Sequence, residues 1–153
     1  MSGEEPEPLL EVVAEDEEGT LAAGRRLAPL LAAGDLVLLV GDLGSGKTVF
    51  VRGLVEGLGA DPGEVSSPTF ALVHEYSAGG AGSSPVLAHA DLYRLEDEAS
   101  RRTLAELGLE ELRRRGAVLA IEWPRPPYTG EPGFRVSIED LGGTRRRITL
   151  TRK

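Results

Sequence analysis

The sequence predicts an α/β fold: a central, largely parallel sheet flanked by helices, with antiparallel edge strands and a C-terminal β-hairpin. Three observations predict it. The apolar run Leu36-Val37-Leu38-Leu39-Val40 reads as a buried strand. The glycine-rich stretch Gly41-Asp42-Leu43-Gly44-Ser45-Gly46-Lys47-Thr48 follows it directly, and apolar residues at helical spacing continue through Leu58. Far along the chain, Phe134 to Ile138 and Arg147 to Thr151 alternate with period two around Gly142-Gly143, which reads as a hairpin.

The stretch from Gly41 to Thr48 fits G-x-x-x-x-G-K-[ST] and sits between a strand and a helix start, so the fold is read as a single P-loop NTPase domain. Its glycines let the backbone curl until successive N–H groups face phosphate oxygens, and the helix N-terminus adds partial positive charge. Lys47 then reaches the β and γ phosphates. The Thr48 hydroxyl is left as a hard oxygen ligand for Mg²⁺. Lys47 and Lys153 are the only lysines in a chain otherwise supplied with arginine, so a point charge is wanted at Lys47 where a planar fork would not fit.

The chain of 153 residues is one domain's worth. Residues 1–8 read as a disordered acidic tail and 9–153 as the folded domain. With no cysteine, disulfides, thiolate metal sites and cysteine nucleophiles are excluded, and a cytoplasmic location is expected. No leader or long apolar segment is seen, so no membrane association is expected. The net charge of −8 repels nucleic acid, which argues against unaided binding of RNA or DNA. The cluster Arg113 to Arg115 suits the end of a helix, with a local anion or partner patch as its alternative. Arg145 to Arg147 is a candidate anion or partner patch.

In chain order, Leu9 to Val13 is expected as an edge strand. A helix follows through about Leu31, opened by Asp16, Glu17, Glu18 and Thr20, with Leu21, Leu27, Leu30 and Leu31 on or near one face. After the loop helix, Gly59 is a C-cap candidate and Asp61-Pro62-Gly63 a turn. Ser66-Ser67-Pro68-Thr69 leads into a strand through Tyr76, and the segment from Ser77 to Pro85 is a flexible connection. Val86 to Tyr93 is a strand. Glu96 to Arg115 is helical in two pieces broken at Gly108, and Ala117 to Pro124 is the last central strand, apolar until Glu122.

A nucleotide site on Lys47 and Thr48 also needs an acid at a neighbouring strand end. Glu122 would emerge at a carboxyl end, where open α/β sheets bind ligands, as metal ligand or water-activating base. Asp91 is the other candidate, as its supporting partner or as the base, although a helix or turn cap explains it too. Thr69 can offer a hydroxyl to Mg²⁺ or to the attacking water, and equally can be the first threonine of a strand. His74 and His89 read as partly buried strand residues, since no third ligand makes a zinc site. Arg94 and Arg145 are candidates for steadying phosphate charge.

Together, Gly-Asp-Leu-Gly-x-Gly-Lys-Thr at 41–48, Ser-Pro-Thr-Phe at 67–70, His-x-Asp-Leu-Tyr-Arg at 89–94, Leu-Gly-Leu at 107–109 and Ile-Glu-Trp-Pro at 121–124 resemble the TsaE family, formerly YjeE. The resemblance covers about Glu17 to Pro124. It implies a small bacterial ATPase, taking ATP and Mg²⁺ and leaving ADP. TsaB and TsaD are the implied partners in placing threonylcarbamoyl on adenosine 37 of tRNAs that read codons beginning with A. The transfer is expected of TsaD, and tRNA contact only through the complex.

By position, the resemblance implies that Gly44, Ser45, Gly46, Lys47, Thr48 and Val49 hold the phosphates and that Thr48 and Glu122 hold Mg²⁺. Trp123 is implied beside the nucleotide, with Asp91 and Thr69 near the γ-phosphate. More loosely, the segment from Glu17 to Thr20 is implied near the adenine, and an arginine of the C-terminal hairpin, Arg145, at the nucleotide. Val49 departs from the family, which often has a second threonine there. A small-molecule P-loop kinase is the alternative, with residues 101–115 as its arginine-rich lid, though they read better as an amphipathic helix pair. A GTPase needs a downstream Asn-Lys-x-Asp, and no lysine lies between Lys47 and Lys153.

Overall fold

The computed structural model describes residues 7–42, 44–61, 73–78, 85–92, 108–124 and 128–152. Seven strands are present: β1 (Leu10–Ala14), β2 (Leu36–Val40), β3 (Val73–Tyr76), β4 (Leu87–Asp91), β5 (Val118–Glu122), β6 (Phe134–Gly142) and β7 (Arg145–Arg152). They form one sheet in the order β1-β7-β6-β2-β5-β4-β3. The four central strands β6, β2, β5 and β4 run parallel. Antiparallel pairing adds β3 at one edge and β7 and β1 at the other. β2 is buried at every position but the last because both of its faces are covered, which is why it reads as a continuous apolar run.

Alternation along the strands divides the interior in two. Val37 and Leu39 of β2, Val118 and Ala120 of β5 and Val136 and Ile138 of β6 pack under helices α1 (Glu17–Leu27) and α2 (Lys47–Gly57). Leu36, Leu38, Leu119 and Ile121 face the other way, toward Leu109 and Leu112 of α3 (Leu109–Arg114) and Tyr128. Each fully buried leucine here contributes about 2–5 kcal/mol relative to alanine.

α1 starts as its sequence prescribes. Asp16 is extended, its carboxylate accepts the Gly19 N–H, and Glu17 and Glu18 occupy the first turn. The helix stops earlier than expected, at Leu27. Pro29 has no N–H to continue the α ladder, so the chain tightens into a 3₁₀ turn over Ala28–Leu30. Leu30 is consequently turned outward and 52% exposed, not on the buried face.

Three glycines set the spacing of α1 and α2. A Cβ on Gly53 would lie 2.1 Å from the Leu21 carbonyl oxygen, one on Gly24 2.3 Å from that of Phe50, and one on Gly57 2.6 Å from the Ala28 Cβ. The two helix backbones therefore touch. Gly59, at φ +88°, ends α2 in the left-handed conformation expected of a helix-terminating glycine, and the Ala60 N–H returns to the Val55 carbonyl. Gly108, at φ +70°, stands just before α3. The expected helical piece before it, the Asp61-Pro62-Gly63 turn beyond Asp61 and most of the 77–85 connection lie outside the described residues.

Candidate functional site

The site forms where β2, β5 and β4 end side by side. β2 delivers Gly41, the glycine-rich loop follows, and α2 leaves from Lys47. Gly41 is pressed against the neighbouring strand, since a Cβ there would sit 2.6 Å from the Ile138 carbonyl oxygen and 2.6 Å from Ser45 Oγ. Gly44 and Gly46 take φ +77° and +106°, a region other residues enter at a cost. The loop is thus turned back on itself, closed by the Ser45 N–H donating to the Asp42 carbonyl.

No side chain caps the N-terminus of α2. Its leading N–H groups and the positive end of its dipole face the concavity of the loop. Ser45 Oγ is buried and forms no hydrogen bond. An unsatisfied hydroxyl and uncapped amides around a glycine-formed concavity suit an anion with several acceptor oxygens.

Lys47 is buried, and its ammonium donates to the carbonyls of Gly41 at 2.5 Å and Asp42 at 3.3 Å. The Trp123 ring lies over it, 4.3 Å from Nζ to the ring centroid. Burial pulls the Lys47 pKa below its ordinary value, opposed by the carboxylates of Glu122, Asp91 and Asp42. Trp123 itself has φ +54°, the only positive value outside glycine among the described residues. Such a backbone costs on the order of 1–3 kcal/mol and is a feature of ligand sites. Leu39, Val40, Gly41, Asp42, Trp123 and Pro124 line a largely apolar cleft of about 160 Å³ beside the loop.

Glu122 and Asp91 are opposite one another in the β4–β5 register, at the carboxyl ends of both strands. Glu122 is 4% exposed and Asp91 is half-buried. Thr48, one residue into α2, and Val49 are also half-buried. Lys47, Glu122, Asp91 and Trp123 are therefore gathered beside the loop, and Thr48 follows Lys47 in the first turn of α2. Thr69 and Arg94 lie outside the described residues.

Two placements differ from expectation. His89 is fully buried, and its Nε2 lies 2.5 Å from Glu122 Oε2. Period two on β4 puts His89 on the face of Asp91, and this parity was the signal that could have found it. Arg145 points away from the loop and pairs with Glu15 at 2.9 Å. Its neighbour Arg146 is the hairpin arginine at the loop, donating through Nε to the Ser45 carbonyl at 2.6 Å and through a terminal nitrogen to that of Gly44 at 3.3 Å.

The reason is again alternation. Ile148 and Leu150 face the helix-covered core, and Arg146 shares their side of β7 while Arg145 does not. Arg146 is held further by Asp140 at 3.0 Å, across the register irregularity between Asp140 and Gly142. Thr20 is buried in α1 and approaches the loop at Gly46, where a Cβ would stand 3.8 Å from its methyl group.

The family description "Threonylcarbamoyl adenosine biosynthesis protein TsaE" matches residues 14–148. The tRNA threonylcarbamoyladenosine biosynthesis protein TsaE of Streptomyces coelicolor is 41% identical over 132 residues, which is 84% of this chain and 76% of that protein. The protein of the same name from Aquifex aeolicus is 34% identical over 148 residues, covering 96% and 99%. In structure, the chain resembles crystalline Bacillus subtilis YdiB with a TM-score of 0.69 at 28% identity, over 98% of this chain and 88% of that one. The order of strands, the glycine-rich loop and these relatives agree, and the chain belongs to the TsaE family.

Proposed function

We propose that this chain is a Mg²⁺-dependent, ATP-binding and ATP-hydrolysing subunit that supports threonylcarbamoylation of adenosine 37 in tRNA together with TsaB and TsaD. The observation that carries the reading is the convergence of the buried Lys47 ammonium with two strand-end carboxylates, Glu122 and Asp91, at the mouth of a glycine loop. The names of the relatives supply the pathway.

The loop amides from Gly44 to Val49 hold the phosphates, and Lys47 exchanges the carbonyls of Gly41 and Asp42 for phosphate oxygens. Thr48 and Glu122 are the hard oxygen donors for Mg²⁺. With Thr48 and Glu122 as its protein donors, Mg²⁺ would draw its remaining ligands from phosphate and water, as the ion prefers. The ion supplies charge neutralisation on the phosphates. Glu122 or Asp91 orients and deprotonates the attacking water, with Thr69 as a further hydroxyl. Trp123 closes over the Lys47 side of the site and Arg146 fixes the loop from behind. Transfer to tRNA is assigned to TsaD, and ATP hydrolysis resets or activates the complex between turnovers. Among the described residues no helix is long and apolar enough to cross a membrane.

The test is phosphate release from ATP with Mg²⁺ by the protein alone, with TsaB and TsaD, and with both plus tRNA. Slow turnover that rises sharply with the partners is expected. Turnover indifferent to them, and raised only by a small hydroxyl acceptor, would replace this reading with a kinase.

A further inference from the structure

We propose that His89 is a positioning residue that fixes the carboxylate of Glu122 in the orientation its Mg²⁺-directed role requires. The inference rests on the reading of Glu122 given above. His89 is 0% exposed and Glu122 4% exposed, so neither group can lean on solvent for its hydrogen bonds. The Nε2–Oε2 separation of 2.5 Å makes the contact direct. The strand register explains how the ring gets there. The residue opposite His89 on β5 is Ala120, whose small side chain leaves room for the imidazole to lie across β5 toward Glu122, the next residue on that face.

The second ring nitrogen decides the direction of the bond. Nδ1 is buried and has no hydrogen-bond partner. Placing the ring proton on Nδ1 would strand a donor there and set two lone pairs against each other at 2.5 Å; placing it on Nε2 lets the ring donate to Glu122 and leaves only an acceptor unpaired. The imidazole is thus a one-sided donor, with its whole polar function spent on one carboxylate oxygen. The contact engages Oε2, so Oε1 is the carboxylate oxygen left for the site. A carboxylate at a strand end has free χ torsions, and a buried donor behind it removes that freedom before any ligand arrives.

The experiment measures ADP affinity with Mg²⁺ and with chelator, by the fluorescence of Trp123, the sole tryptophan. Five proteins are compared: wild type, His89→Gln, whose longer amide can still donate to Glu122, His89→Asn, whose shorter one cannot, Glu122→Gln, and the double variant carrying His89→Asn and Glu122→Gln. The expected result is that His89→Asn lowers the affinity gained from Mg²⁺ by about tenfold or more. His89→Gln keeps most of the gain, and chelated-ADP affinity is unchanged in both. The substitution His89→Asn adds nothing further in the Glu122→Gln background.

The proposal is overturned if His89→Asn retains the full gain, or if both substitutions weaken ADP equally with and without Mg²⁺, because the ring is then packing only. If His89→Asn does not fold, His89→Gln against Glu122→Gln carries the test, and equal loss in the two overturns it. Wild-type protein that binds ADP without any gain from Mg²⁺ removes the role of Glu122 and the inference with it. Wild-type protein that binds no ADP removes the nucleotide reading itself.

Discussion

The seam between α1 and α2 and the polar end of the central strands are both close-packed, but they are held in opposite ways. In the seam, Gly24, Gly53 and Gly57 bring two backbones into contact where no side chain intervenes at the glycines. At the strand ends, Lys47, Glu122 and His89 are buried polar groups, each bonded to a neighbour, while His89 Nδ1 and Ser45 Oγ are left without a partner. The seam is fixed by what is missing and tolerates no addition, whereas the site is held by contacts between polar side chains that ligand binding uses. Stability and ligand chemistry should therefore respond to different substitutions.

The largest effect tests the seam. Gly53→Ala puts a methyl where the Leu21 carbonyl oxygen stands, 2.1 Å away, with backbone on both sides. We expect a loss of about 3 kcal/mol and a melting temperature lower by about 10 °C, followed by circular dichroism. An unchanged melt would mean that the helices separate at no cost and that the contrast is false.

Lys47→Ala is expected to do the reverse. It removes the charge-assisted phosphate contacts, so ADP affinity falls at least about 100-fold. It also removes an ammonium whose pKa is lowered by burial, so the melting temperature holds or rises. A large fall in both would show that site and scaffold are not separable.

Arg146 and Arg145 sharpen the comparison within one strand. Arg146→Ala releases the Gly44 and Ser45 carbonyls, and ADP affinity should drop about tenfold. Arg145→Ala breaks an exposed pair with Glu15, worth less than about 1 kcal/mol, and should leave ADP binding alone. Equal responses by isothermal titration would refute the assignment by alternation.

The smallest effect lies on the far face, where the Tyr128 hydroxyl donates to Glu110 at 3.0 Å. Burial, followed by the Glu110 hydrogen bond and its charge, raises the Tyr128 pKa above the ordinary 10.0. Below pH 10 both folded and unfolded chains keep the proton. As pH climbs past 10 the unfolded chain releases it first, so stability is lost progressively toward the folded value. Tyr128→Phe should cost about 1 kcal/mol at neutral pH and flatten the alkaline decline in urea midpoint. A slope identical to wild type would place the loss elsewhere.

Local features were legible in the sequence where one residue's neighbours decide its state. Leu36–Val40 followed by the glycine loop gave β2 and α2, and alternation about Gly142-Gly143 gave the hairpin. Asp91 and Glu122 could be picked as strand-end acids because each closes an apolar run. Their direct opposition could not, since it depends on the register of two strands far apart in sequence. The contact between His89 and Glu122 depends on that same register.

Leu30 leaves the face that helical periodicity predicts because Pro29 cannot extend the hydrogen-bond ladder. Arg146 was within reach, as parity with Ile148 and Leu150 selects it. The left-handed backbone of Trp123 left no trace in the pattern of residue types.

The order of the sheet has a consequence for how the molecule comes into being. Among the described strands β1 pairs only with β7, Leu10 against Leu150, so its partner is translated long after it. Synthesis at about 5–20 residues per second leaves β1 unpaired for on the order of ten seconds. During that wait it carries Leu9 and Val13, both exposed even in the finished protein, as an open edge able to recruit other chains. Nascent-chain aggregation should accordingly be governed by this short apolar edge, and closure of the sheet by the moment residues 145–152 clear the ribosome.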